Sequence, residues 1–255
     1  MDLKKLDKNG NPLNLTGAHD KKDKWTGSDY YSWYKNDPSV MEPTDEDIKC
    51  ELQLQALGDF EQLDFSVNQS KFENEISECK DWFVPYLRRE GVSNDREGIM
   101  LFGLEGDEPS DSLSRPEAMK RTGRMLKETD FSYPTKAYTK LTSLHSILDH
   151  WDGLGRTMII KSNKGGWFPP HRDNPNLTRP TFRVIAFLGR ASANDSYEWW
   201  LGDRPQNIIP YSTYFVDTRK VHRTHSWEDD SYHLILNVPK TWDNVMRLMS
   251  VLKYS

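Results

Sequence analysis

Three residues with metal-binding side chains lie in the last third of the sequence, at a spacing that could hold one ion. His171 and Asp173 occur in the segment FPPHRDN, separated by a single residue, and His222 follows 51 residues after His171 in YFVDTRKVHRTHSW. Residues two apart in an extended chain project to the same side of the backbone. An imidazole and a carboxylate can then bind the same metal, and we predict that His171, Asp173 and His222 are its ligands.

The types of these side chains indicate the metal. Two histidines and one carboxylate on one face of an octahedron leave three positions open, an arrangement used by non-haem Fe(II) oxygenases to bind a co-substrate and dioxygen. A His-x-Asp pair alone occurs by chance in many proteins. The alternative is that Asp173 caps a turn while the histidines pack in a core or lie at the surface. The pair, the distal histidine and the β-rich surroundings together favour the metal site.

The elements that must position these residues are short strands. After Gly155 the sequence contains a series of β-like runs separated by Gly, Pro, Asn and Asp: RTMIIK, TFRVIAFLG, YEWWLG, NIIPYSTYFVD and SYHLILNV. No helical segments alternate with them, which excludes a parallel doubly wound sheet. We predict a mainly β (α+β) fold, a double-stranded β-helix or cupin-like jelly roll with its core at residues 155–240. Such a fold returns the chain to the same barrel mouth between His171 and His222.

Helices are expected to flank this barrel. Apolar residues at steps of three and four predict an amphipathic helix over residues 70–90 and a second one from Ser143 to a glycine stop at 153–155. Residues 105–135 have the composition of a long surface excursion, with one short helix from Pro116, and such loops often border an active site. The spacing of apolar residues over 242–253 predicts a C-terminal helix.

The composition divides the chain and excludes some partners. Residues 1–45 read as a polar N-terminal arm, partly disordered, and residues 46–255 as a single catalytic domain. The formal net charge of −5 gives no electrostatic reason to bind nucleic acid or an anionic membrane. No apolar run approaches the roughly 20 residues that span a bilayer. Because the only cysteines, Cys50 and Cys79, suit a reducing compartment, we expect a cytoplasmic protein.

Three segments carry a resemblance to a known family. GGWFPPHRDN, TFRVIAFL and YFVDTRKVHRTHSWEDDSYHLILNV resemble the 2-oxoglutarate and Fe(II)-dependent dioxygenases, and within them the aspartyl/asparaginyl β-hydroxylase and proline-hydroxylase-like branch. The resemblance covers residues 155–240. It implies Fe(II) and the co-substrate 2-oxoglutarate, which becomes succinate and CO2 while an amino-acid side chain, peptidyl or free, is hydroxylated. It also implies that His171, Asp173 and His222 are the catalytic residues.

The resemblance departs from the family at the residue that binds the far carboxylate of 2-oxoglutarate. An arginine usually stands two residues before the histidine of the final strand, but this chain has Ser231 there. We predict Arg183 as the substitute, because strand alternation places it with inward-facing apolar residues; the alternative is a charge on the solvent face. His225 is the rival of His222 for the distal ligand, and otherwise a candidate contact for 2-oxoglutarate or for a ligand.

A second function class stays open beside the enzyme. A cupin-like barrel could recognise a small molecule or another chain without redox chemistry, as a non-catalytic binding or structural module. The presence of His171, Asp173 and the distal His222 in one chain argues against such a non-catalytic module. We expect a small-molecule or peptide substrate rather than nucleic acid, since no basic groove with interleaved aromatic residues is visible.

Overall fold

The protein is described by a computed structural model that covers residues 43–86, 95–173, 179–192 and 195–253. The α-helices are α1 Asp45–Leu57, α2 Gln69–Glu78, α3 Arg115–Thr122, α4 Lys136–Lys140, α5 His145–Leu148 and α6 Trp242–Ser250. The strands are β1 Phe60–Leu63, β2 Val84–Pro85, β3 Arg96–Gly103, β4 Tyr133–Pro134, β5 Thr157–Ser162, β6 Trp167–His171, β7 Thr181–Gly189, β8 Tyr197–Leu201, β9 Arg204–Pro205, β10 Thr213–Val216, β11 His222–Ser226 and β12 Ser231–Pro239. Four short 3-10 helices complete the list: Lys80–Trp82, Glu128–Asp130, Thr142–Leu144 and Arg190–Ser192.

The strands form two antiparallel sheets. The larger sheet has the order β1-β10-β7-β12-β5-β3-β2, with β4 also paired to β3, and the smaller sheet has the order β6-β11-β8-β9. Antiparallel sheets dominate, with helices at both ends of the described chain, so the prediction of a mainly β jelly roll is confirmed.

The central strand β7 shows how the sequence builds the layers. Val184, Ala186 and Leu188 pack in a core that includes Phe72 of α2 and Leu248 of α6. Ile185 and Phe187 face the other way and pack in a second core with Tyr197 and Trp199 of the smaller sheet. Because successive side chains of a strand alternate between its faces, one apolar run supplies both interfaces. The two sheets thus enclose a barrel interior, and the helices cover the back of the larger sheet.

The predicted helices are shorter in the structure. The segment predicted as one helix over residues 70–90 forms α2, which ends at Glu78, and then continues as a 3-10 turn and strand β2. Pro85 is incompatible with one helix that continues to residue 90, since a proline disfavours helical backbone in the residue before it. The helix expected from Ser143 is a 3-10 turn followed by the single turn α5, and the C-terminal helix ends at Ser250 instead of continuing to residue 253.

The excursion at residues 105–135 contains more buried apolar residues than its polar composition indicated. It contains α3, whose start agrees with the predicted short helix, and an apolar cluster of its own: Ala118, Met119, Leu126 and Phe131. The arm predicted over residues 1–45 lies almost wholly outside the described residues. None of the described helices is both long enough and apolar enough to cross a membrane.

Helix α6 offers a test of this packing with a control on the same helix. The side chain of Leu248 is fully buried against the larger sheet, whereas Met246 is 48% exposed. Leu248→Ala should lower the free energy of unfolding by about 2–5 kcal/mol, because burial is lost and a cavity remains. Met246→Ala should change it by no more than about 0.5 kcal/mol. Urea unfolding followed by circular dichroism measures both, and equal effects would contradict the placement of α6.

Candidate metal centre

Two strands of the smaller sheet bring the predicted ligands together. Strand β11 pairs with β6 so that His222 lies directly opposite His171, with ring centroids 4.0 Å apart. Asp173 follows β6 by two residues, and its backbone N–H donates to the carbonyl oxygen of Thr218, 2.9 Å away. His171, Asp173 and His222 each offer one ligand atom, and these three atoms all lie within 4.8 Å of one another.

A β-bulge turns His171 toward the cavity. Across β6 and β11 the partners are His222 with His171 and Thr224 with Phe168, so three steps on β6 match two steps on β11. The extra residue falls in the Pro169–Pro170 pair. Proline donates no backbone hydrogen bond and is tolerated at such irregularities. As a result Phe168 and His171, which strict alternation would place on opposite faces, line the same cavity.

Backbone carbonyls fix the orientation of both imidazoles. The Nδ1 atom of His171 lies 2.9 Å from the carbonyl oxygen of Pro169, and the Nδ1 atom of His222 lies 3.0 Å from that of Lys220. A carbonyl oxygen only accepts hydrogen bonds, so each Nδ1 carries the proton and donates. Each Nε2 keeps its lone pair, which is the state a metal ligand requires. Trp199 stacks on the His222 ring at 5.4 Å and further restricts its rotation.

Arg183 holds the carboxylate of Asp173. Its Nε donates to Oδ2 at 3.2 Å, while Oδ1 lies 3.7 Å from the Nε2 of His171. Burial on its own would raise the pKa of the Asp173 carboxyl, but the positive charge of Arg183 is the main opposing cause and brings that pKa well below its usual range. Burial and the neighbouring His222 lower the pKa of His171 to about 3. A carboxylate and a neutral imidazole are the protonation states that bind metal.

The cavity beside these residues is formed by both sheets. Its other lining groups are aromatic, apolar, basic and polar: Tyr86, Phe168, Tyr197 and Trp199, then Met158, Ile185 and Ile235, then Arg96, Arg156 and Arg183, then Thr218, Thr224 and His233. No cysteine is among the described residues of this lining, and oxygen and imidazole donors without thiolate suit Fe(II). The residues present therefore fit the metal that the sequence predicted.

Two of the cavity's arginines were not predicted. Arg156 donates through Nε to Glu128 Oε2 at 2.7 Å and through Nη2 to Oε1 at 3.2 Å, so the excursion at residues 105–135 does border this cavity. Arg96 lies at the start of β3, two strands away from the final strand β12. Both lie outside the three segments that carry the family resemblance, and the sheet order brings them to the site.

His225 lies on the other face of β11. In this strand His222, Thr224 and Ser226 are buried, whereas Arg223 and His225 between them are partly exposed. The His225 ring contacts that of the exposed Trp227 at 4.0 Å and does not line the cavity. The expectation that His225 contacts 2-oxoglutarate therefore finds no support, because strand alternation directs it away from His222.

A buried ionic network fixes the turn that precedes His222. Glu51 of α1 accepts hydrogen bonds from Arg179 Nε at 2.8 Å and from Arg219 Nη1 at 3.0 Å. Arg219 also donates to Asp217 through Nε at 2.7 Å. Two carboxylates and two guanidinium groups balance one another, which is the condition under which buried charges are tolerated. The network ties helix α1 to the start of β7 and to the β10–β11 turn.

Neither a protein-family model nor a curated protein sequence matches the chain, but solved structures do. A prolyl hydroxylase from Trichoplax adhaerens, in complex with a hypoxia inducible factor peptide fragment, is 12% identical over 84% of this chain and 99% of its own, with a TM-score of 0.43. A 2OG-Fe(II) oxygenase family oxidoreductase from Burkholderia pseudomallei is 14% identical over 78% and 94%, with a TM-score of 0.38.

A shorter match involves a conserved Streptococcus pyogenes protein of unknown function, 13% identical, with a TM-score of 0.26. It covers 33% of this chain and 64% of that protein. Similarities at such low identities and TM-scores do not identify a reaction.

His222 and His225 provide a matched pair of variants for the metal centre. His222→Ala removes a ligand atom, and we expect the affinity for Mn(II), a redox-stable substitute for Fe(II), to fall by more than the roughly 10- to 100-fold typical of losing an outer contact. His225→Ala, on the opposite face, should bind Mn(II) as the wild type does. Isothermal titration calorimetry measures both, and the reverse order would move the distal ligand to His225.

Proposed function

We propose that this protein is an Fe(II)- and 2-oxoglutarate-dependent dioxygenase that hydroxylates an amino-acid side chain, peptidyl or free. The observation that carries the proposal is the convergence of His171, Asp173 and His222 within 4.8 Å beside a cavity lined by arginines. Two imidazoles and one carboxylate leave three positions of an octahedral ion for other ligands. A ligand set of this kind supports oxygen chemistry better than a purely structural site, which is normally closed.

When bound, the metal with 2-oxoglutarate supplies the activation of dioxygen, one oxygen atom entering succinate as CO2 leaves and the other entering the substrate's C–H bond. The chain's own part is to hold and orient. His171, Asp173 and His222 would bind the ion, and the carbonyls of Pro169 and Lys220 keep both Nε2 atoms directed to it.

Other residues keep the site in a reactive state. Arg183 holds Asp173 ionised and leaves its Oδ1 available. The aromatic side chains of Phe168 and Trp199 flank the two histidine rings, at centroid distances of 4.3 Å and 5.4 Å, and exclude water from them. A dry, preorganised cavity strengthens the electrostatic interactions inside it.

The sequence resemblance supports the amino-acid substrate, and the basic residues outside the cavity add little support. Arg179 and Arg219 belong to the buried network with Glu51, so they are not available to a substrate. Lys220 lies 3.3 Å from Asp59, and Arg223 lies over the ring of Trp200. Within the cavity, Arg183 has a buried Nη1 that lacks a hydrogen-bond partner among the described residues. A carbonyl or carboxylate oxygen of a substrate would satisfy it.

Succinate release from 2-oxoglutarate tests the reaction and its substrate. With Fe(II) and ascorbate, we expect release to be stimulated by free amino acids or peptide pools, with an added oxygen atom in the product by mass spectrometry. Asp173→Ala should reduce turnover at least 100-fold because a metal ligand is lost, whereas the surface variant Met246→Ala should retain it. Stimulation by oligonucleotides alone would reject the substrate class. A wild-type protein that neither binds 2-oxoglutarate nor turns it over would reject the enzyme in favour of a binding module.

A further inference from the structure

Two of the cavity's arginines come from opposite ends of the larger sheet. On β7, Arg183 faces Asn237 of β12, whereas Gly189, six residues further along, faces Ser231. Six residues of a strand span about 20 Å. Ser231 in turn faces Ser162 of β5, and Ser162 faces Arg96 of β3. Arg96 therefore enters the cavity from the end of the sheet that Arg183 cannot reach.

Two small residues, one on β5 and one on β12, lie between Arg96 and the barrel interior. Ser162 and Ser231 are both almost completely buried, and their short side chains leave room for a long one to extend over them. The Arg96 guanidinium carbon lies 4.4 Å from the ring centroid of Phe168, which is itself 4.3 Å from that of His171. The sum of these two distances places the guanidinium no more than about 9 Å from a metal ligand's ring, a span that a five-carbon dicarboxylate can cover.

Arg96 differs from the other cavity arginines in what its guanidinium lies against. Arg183 donates to Asp173, and Arg156 forms a two-point contact with Glu128. The Arg96 guanidinium lies over the aromatic rings of Tyr86 and Phe168. A guanidinium held flat by rings keeps its planar fork of donors, which suits a carboxylate.

A further donor at the same cavity requires an acceptor. The Nε1 atom of Trp199 is buried and has no hydrogen-bond partner among the described residues. Its side chain lines the cavity, and the residue is 5% exposed. A buried N–H without a partner costs free energy, so it points to a bound group with an acceptor oxygen.

We propose that Arg96, together with the buried indole nitrogen of Trp199, binds the far carboxylate of 2-oxoglutarate, and that Arg183 serves Asp173 instead. This inference rests on the proposed function. It replaces our prediction from the sequence that Arg183 is the anchor. The family usually has an arginine at the position of Ser231. Arg96 on β3 then supplies that basic group in this chain.

The test compares two 2-oxo acids that differ in this carboxylate. 2-Oxobutanoate has the metal-chelating end of 2-oxoglutarate but lacks the far carboxylate. With the Mn(II)-loaded protein, the affinity ratio of 2-oxoglutarate to 2-oxobutanoate, measured by calorimetry, isolates the anchor from the metal. Loss of a charge-assisted contact in Arg96→Met should reduce this ratio by about 10- to 100-fold. Arg183→Met should weaken Mn(II) binding and leave the ratio unchanged at saturating metal.

Each outcome decides between the two arginines. A ratio unchanged in Arg96→Met but reduced in Arg183→Met would overturn the inference, as would equal weakening of both acids by Arg96→Met. If Arg96→Met does not fold, Arg96→Lys retains the charge without the fork and should still reduce the ratio, and an unchanged ratio would again overturn the inference. A wild type that binds neither acid would refute the proposed function itself, which is a different result from wild-type binding that is insensitive to Arg96.

Discussion

The antiparallel register between β6 and β11 is the constraint on which the site depends. It places His222 opposite His171, and it does so only because one extra residue is accommodated at Pro169–Pro170. A shift of one residue in a strand pairing moves every side chain to the other face. Without the bulge, His171 would leave the cavity while Phe168 stayed, and no metal ligand set would exist. The two prolines, which suit an interrupted ladder, are thus part of the site's geometry.

Buried ion pairs fix the two segments whose position the β6–β11 register does not determine. Asp173 lies beyond the end of β6, and Arg183 from the next strand holds its carboxylate. The turn before His222 is held by Asp217 and Arg219, which Glu51 links to the helical layer. Removing one member of such a network leaves an uncompensated buried charge, which costs more than the pair itself contributes. The fold therefore supports the candidate metal ligands with charged side chains that would not themselves bind the ion.

The sequence predicted those features that depend on short-range pattern. The apolar run of β7 and the pair of His171 with Asp173 are local signals, and so is the start of α3 near Pro116. Features set by distant pairing were missed. Arg96 reaches the cavity only because β3 adds to the edge of β5, and nothing near position 96 indicates that neighbour. In the sequence His225 is a rival of His222 because three residues separate them, whereas its strand face decides where its ring lies.

The claim that His171, Asp173 and His222 form a catalytic Fe(II) centre is tested most directly by anaerobic absorption spectroscopy. Chelation of Fe(II) by 2-oxoglutarate gives rise to a weak visible charge-transfer band. The wild-type protein with Fe(II) and 2-oxoglutarate should show this band, Asp173→Ala should lack it, and His225→Ala should retain it. A wild-type protein without the band at saturating iron and co-substrate, or a band that persists in Asp173→Ala, would contradict the account.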